Sequence, residues 1–100
     1  MNAYRYRVTV EKLSDAMGEP VHGQSLSFYA TNHDDIPAIV ERLQSKLPYS
    51  AGTAAALGVG VKLFGEVVLA HRDDPMFAKI HPALAEFIQQ MKQPAETALQ

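Results

Sequence analysis

The sequence has no cysteine. That absence excludes disulfides, thiolate metal sites, iron–sulfur clusters and cysteine nucleophiles, and it removes the usual clue to redox compartment. An excess of charge is missing too. Nine Lys+Arg against eleven Asp+Glu leave a net charge of −2, which argues against a broad polyanion-binding surface while leaving room for a local one. The N-terminal run from Met1 to Arg7 has no apolar core and no small-residue cleavage site, so no signal peptide is expected and the default localisation is cytoplasmic. Internal repeats and low-complexity segments are absent as well. What remains is 100 residues, 47% hydrophobic and 20% charged. That is the composition of one soluble globular domain, burying roughly 60–70% of its unfolded surface.

One stretch, Ala51 to Ala70, is apolar enough to be questioned as a membrane span. Lys62 and Glu66 lie inside it, and each would cost about 2.5–3.5 kcal/mol at a bilayer centre. A buried helix is therefore expected, with no membrane partner.

Periodicity sets the remaining elements. From Tyr4 to Leu13 the chain alternates: Tyr4, Tyr6, Val8 and Val10 take one face, and Arg5, Arg7, Thr9 and Glu11 the other. From Ser25 to Thr31 it alternates again, with Leu26, Phe28 and Ala30 against Ser25, Ser27, Tyr29 and Thr31. This is the period of strands with one buried face. The connection between them holds Gly18, Pro20 and Gly23 and is too short for a parallel crossover, so the strands should pair antiparallel. Asp34 or Asp35 then caps a helix with Pro37 in its first turn, apolar at Ile36, Ile39, Val40, Leu43 and Leu47 and stopped by Pro48.

Ser50 or Thr53 caps a second helix reaching about Arg72. Leu57, Val61, Phe64 and Val68 form one apolar stripe and Val59, Leu63, Val67 and Leu69 a second flank, the pattern of a central helix contacted from several directions. Gly58 and Gly65 share a face that needs a packing reason, such as a helix or strand approaching closely there, since glycine in a helix costs about 1 kcal/mol against alanine. A short turn near Met76 to Ile80 and a last helix with Leu84, Phe87, Ile88 and Met91 follow. The expectation is an α+β fold: an antiparallel two-stranded β-hairpin followed by three main α-helices. Residues 1–92 form a single domain, residues 93–100 a frayed tail, and the middle helix covers the Val8/Phe28 face of the hairpin.

Catalytic signatures are thin. His22, His33, His71 and His81 have no partner at the spacing of a helical zinc motif, so no metal is expected. Gly58-Val59-Gly60 lacks the strand before it and the third glycine of a dinucleotide loop. Gly60 to Glu66 has phosphate-loop spacing but puts Glu66 where lysine is required. No cofactor is expected. No serine lies in a G-x-S-x-G elbow. The acid pairs Asp34/Asp35 and Asp73/Asp74 precede proline-containing helix starts, where aspartate serves as a cap more readily than as an acid–base group. A small enzyme acting through His33 with Asp34 or Asp35 would need a pocket there. No catalytic residue is assigned.

Three segments together carry a family resemblance: Tyr4-Arg5-Tyr6-Arg7-Val8-Thr9-Val10-Glu11, then Asn32-His33-Asp34-Asp35 running into Ile39-Val40-Glu41-Arg42-Leu43, then Val61-Lys62-Leu63-Phe64-Gly65-Glu66-Val67. In that order the chain resembles a small bacterial family known as domain of unknown function 3861, over roughly Tyr4 to Met91. The resemblance implies a stand-alone bacterial protein of about this size and transfers no activity, ligand or site residue.

Function is left to the hairpin. A lone two-stranded ribbon is marginal in water and leaves both edges unpaired. The expected function is a non-enzymatic protein-interaction module that recognises a protein partner or itself through Arg5, Arg7, Ser27 and Tyr29 and the strand edges. The alternative is a nucleic-acid-binding ribbon using Arg5, Arg7 and Lys12.

Overall fold

The computed structural model describes residues 2–92; the tail expected at 93–100 lies outside the described residues. The order is β1 (Tyr4–Glu11), β2 (Ser25–Asn32), α1 (Ile36–Lys46), α2 (Ala51–Ala70), a 3-10 turn (Pro75–Phe77) and α3 (Ile80–Lys92). This is the expected α+β arrangement of an antiparallel hairpin and three helices. The chain divides between His33 and Asp34 into two compact units.

In the first unit β1 and β2 pair antiparallel, with Tyr4 opposite Asn32, Val8 opposite Phe28 and Glu11 opposite Ser25. The connection is ordered. The Asp15 carboxylate accepts hydrogen bonds from the Met17 and Glu19 N–H groups, each at 2.9 Å, Ser14 bridges to Pro20, and Lys12 N–H donates to Gln24 C=O at 2.8 Å. Gly18 and Gly23 close it with φ of +87° and +75°, a region that side chains with a Cβ enter only at a cost.

The second unit builds its core from Ile36, Leu43, Ala54, Val68 and Phe77. Of the two candidate caps, Asp35 caps α1, accepting from Ala38 N–H at 3.2 Å, with Pro37 in the first turn, where its missing N–H costs nothing. Ser50 caps α2, accepting from Thr53 N–H at 3.2 Å. Pro82 lies within the first turn of α3 for the same reason as Pro37. Lys62, inside α2, forms an ion pair with Asp34. By length and composition alone α2 is long and apolar enough to cross a membrane.

Replacing Asp35 with alanine removes the α1 cap acceptor and is expected to cost about 1 kcal/mol, read as a lower midpoint for helix loss in thermal circular dichroism. Asp35→Asn should retain most of the stability, because the amide oxygen still accepts.

The buried face of α2 keeps Val68 of the expected stripe but not Phe64. Phe64 is 45% exposed, while Ala54, Gly58 and Val68 are buried. The reason is close approach. A Cβ on Gly58 would lie 3.1 Å from both Val40 Cγ2 and Leu43 Cδ1, so α1 rides directly on the glycine. A Cβ on Gly65 would lie an ordinary 3.8 Å from Ile88 Cδ1 of α3. A helix turns its smallest side chains toward the neighbour that comes nearest, since interior packing leaves no gaps.

Candidate functional site

Strand alternation sorts the hairpin into two faces. On one face Arg7 lies directly opposite Tyr29, Arg5 opposite Thr31 and Thr9 opposite Ser27. Diagonal neighbours on a sheet are about 7–8 Å apart, within reach of long side chains, and Arg5 uses that reach. Its guanidinium carbon sits 4.5 Å from the Tyr29 ring centroid, and that of Arg7 sits at 5.6 Å. Arg7 also donates a hydrogen bond to the Tyr29 hydroxyl at 3.3 Å. Cation–π contacts at exposed sites contribute about 0.5–1 kcal/mol, enough to bias two flexible arginines into one cluster. Thr9 and Ser27 hydroxyls hydrogen-bond at 2.8 Å. Three of the four expected interaction residues, Arg5, Arg7 and Tyr29, thus converge, and Ser27 serves its cross-strand partner beside them.

The expected nucleic-acid set is more dispersed. Lys12 follows the end of β1 with the parity of Val8 and Val10, not that of Arg5 and Arg7.

On the other face Tyr6, Val8 and Ala30 are half-buried and other residues are exposed. Val10 and Leu26 are each 58% exposed and Phe28 is 44% exposed. Tyr4 and Tyr6 stack at one end, centroids 6.4 Å apart. These exposures add Val10, Leu26 and Phe28 to the candidate surface. Period-two alternation reports which residues share a face, and nothing in it reports a cover. The missed signal was the ribbon itself: two strands form too narrow a layer to guarantee burial of either side.

The catalytic candidates have structural occupations. Asp35 caps α1 and Asp74 caps the 3-10 turn, accepting from Met76 N–H at 2.9 Å. Asp34 pairs with Lys62. His71 closes α2, its Nδ1 at 3.0 Å from the Val67 carbonyl. His33 borders an open depression whose other walls are Asn2, Ala3 and Tyr4, none of them a carboxylate. Among the described residues no group of three or more His, Asp or Glu side chains is placed to hold a metal.

A family model for a domain of unknown function with a solved structure, DUF3861, matches residues 4–93. The chain belongs to this family. The DUF3861 match covers both the hairpin and the helices. The fold is also similar to a crystal structure of a protein of unknown function from Pectobacterium atrosepticum, with a TM-score of 0.79 and 29% identity, covering 92% of this chain and 99% of that one. No curated protein matches the chain.

Proposed function

We propose that this DUF3861 protein is a non-enzymatic protein-interaction module that self-associates through its β-hairpin. The observation that carries the reading is the exposure of both hairpin faces: the Arg5–Tyr29–Arg7 cluster on one and Val10, Leu26 and Phe28 on the other. β1 and β2 form a two-stranded sheet, so each strand also has an outer edge. Unpaired edges template pairing with another strand, and exposed aromatic and aliphatic side chains on a rigid frame lose little entropy when a partner covers them.

Sedimentation equilibrium from micromolar to millimolar protein tests it. The expected result is a mass that rises with concentration in wild type and rises less in Tyr29→Ala. A strictly monomeric mass over the whole range overturns the self-association reading. Single-stranded oligonucleotide binding that weakens steeply with added salt would instead favour the ribbon of Arg5, Arg7 and Lys12, because phosphate neutralisation releases counterions. Strand pairing depends on salt only weakly.

A further inference from the structure

We infer that two copies join by antiparallel pairing of β1 with the β1 of a second copy in one register, Arg5 facing the partner's Glu11. The inference rests on the self-association reading and fixes its edge and geometry.

The ladder decides which groups are available. Lys12 N–H bonds Gln24 C=O, and this pair continues the register in which Tyr4 faces Asn32 and Val10 faces Leu26. In an antiparallel ladder the hydrogen-bonded pairs alternate. Tyr4, Val8 and Val10 therefore turn their backbone groups toward β2, and Arg5, Arg7, Thr9 and Glu11 turn theirs to the outer edge. Among the described residues no strand lies beside that edge. A second copy pairing there must match these outward residues with their counterparts.

Two such registers lie nearest the middle of β1. One places Arg7 against the partner's Arg7, and like charges directly opposite are destabilising. The other places Arg5 against the partner's Glu11 and Arg7 against the partner's Thr9, each repeated by the two-fold axis. On the reverse face the second register sets Val8 against the partner's Val8 and Tyr6 against the partner's Val10. Aromatic–β-branched pairs are among the favourable cross-strand neighbours. The first register pairs Tyr6 with the partner's Val8 and Tyr4 with the partner's Val10, so the apolar face accepts both alignments and charge selects between them. β2 carries no charged residue, so its edge offers no comparable complementarity. Arg5 and Arg7 both rest over Tyr29, so pairing with the partner's Glu11 draws the Arg5 guanidinium from that ring toward the edge.

The absence of cysteine makes single-cysteine cross-linking clean. Non-hydrogen-bonded antiparallel partners have Cα atoms about 4.5 Å apart, inside the disulfide range. Val8→Cys should therefore form a covalent dimer under mild oxidation. Ser27→Cys should not, because the β2 strands of the two copies would stand about 14 Å apart, three strand spacings. Charge reversal provides a second readout on exposed positions. Arg5→Glu and Glu11→Arg should each raise the dimer dissociation constant about tenfold, since two facing pairs are lost per dimer. The double variant should restore it.

A wild type that dimerises while Ser27→Cys cross-links, Val8→Cys does not, and the double reversal fails to rescue would overturn this register and leave the module reading standing. A wild type that never dimerises overturns both.

Discussion

Replacing Leu43 with alanine is expected to cost the helical unit about 2–5 kcal/mol, the range for removing a buried leucine side chain. Leu43 is 3% exposed and lies on α1 against the Gly58 backbone of α2. It also borders a partly open cleft with Ile39, Val61 and Ile88. Truncation enlarges that cleft, and the glycine opposite has no side chain to relax into it. Thermal unfolding followed by circular dichroism should show a large fall in the helix transition. A change below 1 kcal/mol would mean that α1 and α2 are not held together here.

The second large effect is a pair of glycine substitutions with opposite signs. At Gly58 a Cβ would meet Val40 Cγ2 and Leu43 Cδ1, both at 3.1 Å, with Val40 Cα behind them at 3.7 Å. Valine in a helix holds essentially one rotamer, so Val40 cannot swing aside. Overpacking of this kind costs about 1–3 kcal/mol and outweighs the roughly 1 kcal/mol that alanine gains in helix propensity. Gly58→Ala should destabilise. At Gly60, two residues along the same helix, a Cβ meets nothing within 4 Å. Gly60→Ala should stabilise by about 0.5–1 kcal/mol. The first cost should shrink in a Leu43→Ala background, because one of the two clashing atoms is gone, so the double-mutant cycle should be non-additive. Gly58→Ala and Gly60→Ala changing stability in the same direction would contradict the packing described for α2.

These sites show where sequence reasoning reached and where it stopped. Asp35, Ser50, Pro37 and Pro48 mark helix ends by local chemistry, and local chemistry is written in neighbouring residues. The alternation of Tyr4 to Glu11 and of Ser25 to Thr31 carries the strands and their pairing for the same reason. The orientation of α2 is a different kind of fact. Hydrophobicity favoured burying Phe64, but steric access favoured Gly58, and access depends on Val40 and Leu43, more than a dozen residues earlier. The convergence of Arg5, Arg7 and Tyr29 was legible once the register was assumed. The exposure of Val10, Leu26 and Phe28 was not, because alternation says which residues share a face and not how much of each is covered.

The most direct measurement of the central claim is amide hydrogen exchange of β1 at low and high protein concentration. Arg7 and Thr9 point their N–H groups to the outer edge, while Val8 and Val10 bond to β2. Pairing through that edge predicts that the Arg7 and Thr9 amides gain protection as concentration rises, while Val8 and Val10 are protected throughout. Arg7 and Thr9 amides that exchange equally fast at both concentrations would contradict it.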